Sequence, residues 1–60
     1  MKITDLHKAI SNRDNCSLED ADKLIKEMAS RVHFDGENPE EVLNEEGFEP
    51  DYVFNLLYHN

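Results

Sequence analysis

Residues of the kinds that carry out catalysis are few in this 60-residue chain. The only cysteine, Cys16, precedes the expected start of a helix, where the helix dipole can make a thiol more reactive. No histidine or acid accompanies it at a catalytic spacing, so we expect Cys16 to pack against Ala21. The many carboxylates could pair for acid–base chemistry, but nothing in the sequence builds a pocket around them or separates their environments. We therefore expect no enzyme activity.

A metal site would have to use the alternating side chains of His33, Asp35 and Glu37. Structural zinc sites need four ligands with recognisable cysteine or histidine pairs, which the sequence lacks. The acids that follow do not fit the alternating oxygen ligands of a calcium-binding loop. We therefore predict neither a metal nor a cofactor, and we expect His7 and His59 to be solvated or to lie at helix ends.

The formal net charge of −8 is concentrated in one half of the chain. Residues 1–34 contain six acids and six bases, whereas residues 35–60 contain eight acids and no lysine or arginine. Such asymmetry bears on the choice of partner rather than on the fold. Because phosphate contacts need basic residues, the acidic half argues against direct binding to nucleic acid or to an anionic membrane.

The acids are densest in the segment NPEEVLNEEGFEPD, residues 38–51, which holds six carboxylates and no base. Three of them fall in the first turns of two expected helices, where the helix dipole favours negative charge. Glu40 and Glu41 begin the third helix, and Asp51 begins the fourth. Folding alone explains their presence.

Glu45 and Glu46 lie in the last turn of the expected third helix, which Glu40 and Glu41 begin. There the dipole disfavours an anion by about 0.3–1 kcal/mol, and Glu41 precedes Glu45 by four residues as a like charge. Lysine at both positions would suit the isolated helix better. In a small domain this arrangement suggests that the two carboxylates are kept for a contact outside the helix. The competing interpretation is a solvated surface that only keeps the protein soluble.

Capping residues and apolar spacing predict four helical segments. Thr4 can cap a first short helix, and Ser17 with Asp20 forms a capping-box-like start to a second. The second helix, about residues 18–33, carries an apolar stripe of helical period. The stripe consists of Ala21, Leu24, Ile25, Met28 and Val32. Its charges balance locally between residues four apart, in the pairs Glu19 with Lys23, Asp22 with Lys26 and Glu27 with Arg31.

Asn38 and Pro39 start a third helix, and Gly47 ends it. Phe48 is placed to contact Val42 or Leu43 of this helix. Pro50 opens a fourth helix. Its inward stripe is Val53, Leu56 and Leu57, widened by Tyr52, Phe54 and Tyr58. The sequence thus predicts an all-α fold, a small bundle of three to four short helices around one longer helix, in a single domain of residues 1–60. We expect it in the cytoplasm, because no long apolar segment or cleavage site is present.

The segment EEGFEPDYVFNLL resembles the helix, Gly-Phe turn and helix of ubiquitin-associated domains. The resemblance is confined to this segment, and the same pattern is general for any helix that ends at glycine. It implies two helices joined by a tight turn and assigns no family.

We expect the acidic half of the chain to dock on a basic surface of a protein partner and to regulate it. Aromatic side chains would anchor the contact, since they dominate interface energies. The residues expected to bind the partner are Glu41, Glu45, Glu46, Phe48, Glu49, Tyr52 and Tyr58. If the partner binds nucleic acid, the acids would occupy its phosphate sites, as in DNA-mimic inhibitors of the sort made by phages and mobile elements. The alternative is a self-associating homodimer in which the second and fourth helices complete a shared core.

Overall fold

The computed structural model describes residues 2–58, and every regular element within them is helical. These elements are α1 (Asp5–Asp14), α2 (Leu18–His33), α3 (Pro39–Glu45), a 3-10 helix (Pro50–Tyr52) and α4 (Val53–Leu57). The expected all-α class is confirmed, with α2 as the long helix against which α1, α3 and α4 pack. None of the described helices is long and apolar enough to span a membrane.

The long helix α2 forms where the sequence predicts it. The Ser17 hydroxyl oxygen accepts the backbone N–H of Asp20 at 3.1 Å, which caps the first turn. The predicted stripe faces the core, with three of its residues buried and two packed partly buried against the same cluster. The buried ones are Ala21, Ile25 and Met28, and the partly buried ones are Leu24 and Val32. Amphipathic spacing and a single cap therefore suffice to define this helix.

The start of α1 is held by a capping box in which a histidine stands where glutamate is usual. Thr4 is the N-cap, as predicted, and its side chain accepts the backbone N–H of His7. In return, Nδ1 of His7 accepts the backbone N–H of Thr4 at 3.0 Å. His7 was expected to be solvated or to lie at a helix end; it is fully buried and lies in the first turn of α1, so the second alternative is the one confirmed. Its burial follows from its position beside Leu6, on the side of α1 that packs against α2.

A Schellman motif at Gly47 ends α3. Gly47 has a φ of +84°, in the left-handed region. Its N–H donates to the Asn44 carbonyl at 3.0 Å, and the Phe48 N–H donates to the Leu43 carbonyl at 2.9 Å. The reversal returns Phe48 to the core cluster that contains Val42 and Leu43, so the predicted contact is confirmed.

Replacing Gly47 by alanine is expected to lower the free energy of unfolding by about 1–2 kcal/mol, because a Cβ is disfavoured in the left-handed region. Urea unfolding followed by circular dichroism measures the loss. Gly47→Asn is the control and should lose less, since asparagine tolerates this conformation, as Asn15 does at φ 51°. An alanine variant as stable as the parent would show that the turn does not hold the end of α3.

The last helical segment is shorter and more exposed than the sequence predicts. A 3-10 helix precedes α4, which has only five residues. Leu56 is buried, but Phe54 and Tyr58 are 67% and 74% exposed. The prediction that these two rings widen the inward stripe is therefore wrong, because a helix of little more than one turn presents only one narrow face to the core. His59 lies outside the described residues.

One apolar core joins all four α-helices of the described chain. It consists of Leu6, Ile10, Ala21, Ile25, Met28, Val42, Leu43, Phe48 and Leu56. The inward residues of α2 and α4 thus pack together within a single chain.

Candidate partner-binding surface

The exposed side of α3 carries Glu40 and Glu41 beside a shallow groove. Oδ1 of Asn38 accepts the Glu40 backbone N–H at 2.8 Å, and Pro39 occupies the first helical position. This cap fixes the start of the helix and places both carboxylates in its first turn. The groove is lined by Glu40, Glu41, Asn44 and Pro50. It is open to solvent, so it suits a protruding side chain of a partner better than an enclosed small molecule.

Glu45 is compensated within the chain, contrary to the argument from the sequence. Nη2 of Arg31, on α2, donates to Oε2 of Glu45 at 2.5 Å. The same guanidinium binds both carboxylate oxygens of Glu37 at 2.7 Å. Hydrogen bonds to Glu37 and then Glu45 raise the pKa of Arg31, and the bond from Arg31 lowers the pKa of Glu37. The expected pairing of Arg31 with Glu27 is wrong, because Arg31 reaches toward α3 and the preceding loop instead.

Glu46 and Phe48 are also engaged within the chain. Nη1 of Arg13 donates to the backbone carbonyl of Glu46. The Arg13 guanidinium lies over the Phe48 ring, 4.1 Å from its centroid, as a cation–π contact. The pKa of Arg13 is raised, first by its hydrogen bond with Asp14 and further by the nearby carboxylates of Asp14 and Glu46. Phe48 is only 9% exposed and belongs to the core cluster, which leaves little of its ring for a partner, and its expected role as an anchor stays a prediction.

Replacing Arg31 by glutamine is expected to make the free energy of unfolding fall less steeply in acid than it does in the parent. Because the folded-state pKa of Glu37 lies below its ordinary value, its ion pair stabilises the fold above that ordinary pKa. The contribution is lost as the pH falls through the lowered pKa. Urea unfolding at a series of pH values should therefore show a small gap between parent and variant near neutrality that closes in acid. A gap that does not change with pH would mean that Arg31 acts through packing.

Four acids around the groove are exposed and form no ion pair within residues 2–58. They are Glu40, Glu41, Glu49 and Asp51, and we call them the α3–Pro50 surface. Glu40, Glu41 and Pro50 all line the groove, and Pro50 stands in the sequence between the remaining two acids. Of the residues expected to bind a partner, Glu41 and Glu49 belong to this surface.

Two aromatic pairs lie in the C-terminal part of the described chain, one packed inward and one exposed. Tyr52 is half-buried and meets Phe48 edge to face, with ring centroids 6.3 Å apart. Phe54 and Tyr58 stack at 6.0 Å with an interplanar angle of 13°. Among the aromatic residues expected to bind a partner, Tyr58 is the exposed one. The sequence analysis placed Phe54 in the inward stripe and not among the partner-binding residues, although its spacing of three from Asp51 and four from Tyr58 places the three side chains on one helical face.

A hydrogen-bonded line of hydroxyl, imidazole and carboxylate connects α1 to α2. Oγ1 of Thr4 lies 2.8 Å from Nδ1 of His7, and Nε2 of His7 lies 2.8 Å from Oδ1 of Asp22. Because Nδ1 accepts the Thr4 N–H, the proton belongs on Nε2, which donates to Asp22. The order of groups is that of a hydrolase triad. Here, however, Thr4 caps α1 and the imidazole is fully buried, so we assign the line to folding.

The other residues considered for chemistry make structural contacts. Nε2 of His33 lies 3.1 Å from the Leu56 carbonyl, which ties the end of α2 to α4. Cys16 is a free thiol that packs partly buried against the cluster containing Ala21. In the part of the chain that the structure describes, no three His, Cys, Asp or Glu side chains are grouped so as to hold a metal ion.

No protein-family model, curated protein or solved structure matches this chain. Its function therefore has to be argued from its own residues.

Proposed function

We propose that this protein is a non-enzymatic binding module that docks the acids of its C-terminal half on a basic surface of a protein partner and regulates that partner. The charge distribution carries the proposal, since residues 35–60 contain eight acids and no lysine or arginine. Carboxylates that remain exposed attract a cationic surface at long range and speed association.

The folded chain supports this proposal because it engages three of these eight acids and leaves four others on the α3–Pro50 surface, while Asp35 is exposed outside both groups. Arg31 engages Glu37 and Glu45, and Arg13 lies close to Glu46. The acids of the α3–Pro50 surface have no such neighbour among the ion pairs of residues 2–58. The attraction for a partner is thus focused on one side of the molecule, around the groove.

A partner that binds nucleic acid fits this charge pattern, because its basic groove is shaped for a row of phosphates. The acids would occupy those phosphate sites, and the protein would act as a DNA-mimic inhibitor of the kind that phages and mobile elements make. The lone Cys16 fits a reducing compartment, so we propose a cytoplasmic location.

Reversing the charge of the α3–Pro50 surface is expected to abolish partner capture. Tagged parent protein and a Glu40→Lys/Glu41→Lys variant are used to capture proteins from a lysate of the source cells at low and at high salt. Captured proteins are then purified and their affinities measured. A basic partner should bind the parent with steep salt dependence and bind the variant roughly ten-fold or more weakly, because like charges now face each other.

The matched control is Glu19→Lys/Glu27→Lys, which changes the net charge equally at two exposed residues of α2. Circular dichroism confirms that both variants fold. Equal weakening by both pairs would show that net charge alone drives capture and would refute a defined acidic surface. A captured protein whose binding is insensitive to salt would contradict charge-led docking altogether.

Self-association is the second candidate, and exposed apolar side chains favour it. Phe34 is 85% exposed, and Phe54, Leu57 and Tyr58 are exposed near the end of α2 that His33 joins to α4. Analytical ultracentrifugation over a range of salt concentrations separates the two candidates. Apolar dimerisation should persist or strengthen at high salt, whereas docking on a basic partner should weaken.

A further inference from the structure

Both arginines of this chain show how its acidic and aromatic groups bind a guanidinium. Arg31 donates two hydrogen bonds, one to each carboxylate oxygen of Glu37. Arg13 combines a carboxylate with an aromatic face, since it binds both oxygens of Asp14 and lies over the Phe48 ring. Guanidinium is planar, so it can bind a carboxylate in two places and still stack on a ring, which the compact ammonium of lysine does less well.

The exposed face of α4 and the preceding 3-10 helix presents the same two groups, a carboxylate and an aromatic ring, to solvent. Asp51, Phe54 and Tyr58 follow one another at spacings of three and four residues, so they share one helical face. The two rings stack on each other and are 67% and 74% exposed. Asp51 is exposed and has no ion-pair partner among residues 2–58.

We propose that Asp51, Phe54 and Tyr58 form a receptor for an arginine side chain presented by a basic segment of the partner. The guanidinium stacks on the exposed Phe54–Tyr58 pair while the Asp51 carboxylate accepts its N–H groups. This inference rests on the proposed function and sharpens it, because it names arginine, rather than positive charge in general, as the recognised group.

Charge complementarity selects a basic partner over a second copy of this chain. Each copy carries a formal charge of −8, and Asp51 follows Pro50, which lines the groove together with Glu40 and Glu41. Two such surfaces would repel each other, whereas a segment rich in arginine would place neighbouring side chains on the groove acids and on the ring pair together.

The test compares an arginine-rich peptide with a peptide of the same length in which every arginine is replaced by lysine. Affinities are measured at low salt by calorimetry, and the contact is mapped by amide chemical shifts. The arginine peptide should bind about two- to five-fold more tightly, the usual effect of an exposed cation–π contact. Its largest shifts should fall on residues 51–58.

Phe54→Leu keeps an apolar side chain but removes one ring of the pair, so it should weaken binding of the arginine peptide more than binding of the lysine peptide and thereby reduce the preference. Phe34→Leu is the matched control, because Phe34 is exposed but lies outside the ring pair, and it should keep the full preference. Equal affinity for the two peptides, or a preference that Phe54→Leu leaves undiminished, would overturn the arginine receptor while leaving charge-led docking intact. Failure of both peptides to bind would count against the proposed function itself.

Discussion

His7→Ala is expected to lower the free energy of unfolding by about 2–4 kcal/mol, since it removes a buried side chain together with its hydrogen bonds. His7 is fully buried, and its two ring nitrogens join the Thr4 cap to Asp22. A chain of this length has a total stability of only about 3–9 kcal/mol. The substitution should therefore unfold a large share of the molecules near physiological temperature. Thermal and urea unfolding followed by circular dichroism measure the loss.

His7→Gln separates the two tasks of the imidazole. A glutamine at this position can still accept the Thr4 backbone N–H, as glutamine does in an ordinary capping box. Its amide then lies at Thr4 and cannot also reproduce the bond to Asp22. Its loss should therefore fall between those of the parent and His7→Ala. A double-mutant cycle of His7→Ala with Asp22→Ala should give a coupling of about 1–3 kcal/mol. Coupling near zero would show that the His7–Asp22 bond contributes nothing to stability.

Local rules predict the helices of this protein well because each helix boundary is decided by neighbouring residues. Ser17 caps α2 through a residue three positions away, and Gly47 ends α3 through hydrogen bonds to its own last turn. The amphipathic spacing of α2 likewise identifies its buried side. Only α4 departs from the prediction, because it is too short for periodicity to show which of its aromatic residues face the core.

The pattern of charges could not be predicted in the same way, because long side chains choose partners that are distant in sequence. Arg31 prefers Glu37 and Glu45 to the acid four residues before it, and Arg13 reaches the end of α3. The acids that looked uncompensated from local rules are therefore the engaged ones. Those that the helix dipole seemed to explain, such as Glu40 and Glu41, are the ones left open to solvent. Local electrostatics therefore located the acidic half of the chain but did not predict which of its carboxylates are ion-paired within the fold.

Leu43→Ala is expected to be the most destabilising of the substitutions considered, with a loss of about 2–5 kcal/mol. Leu43 is fully buried, and together with Val42 it supplies the two buried side chains of the seven-residue α3. A helix this short has little stability of its own and depends on packing. Removing most of the Leu43 side chain should therefore detach α3 before α1 and α2 separate. Hydrogen exchange resolved by residue would show faster exchange in residues 39–48 than in α2.

Leu18→Ala is the matched control, since the same atoms are lost from a side chain that is 37% exposed and lies outside the core cluster. Its loss should stay below about 1 kcal/mol. The Leu43 variant also tests whether the acidic half binds as a shaped surface. Its net charge equals that of the parent, so binding driven by charge alone would survive detachment of α3, with unchanged salt dependence. If the partner instead binds the folded α3–Pro50 surface, its affinity should fall when α3 detaches, because Glu40 and Glu41 are then no longer held beside Pro50.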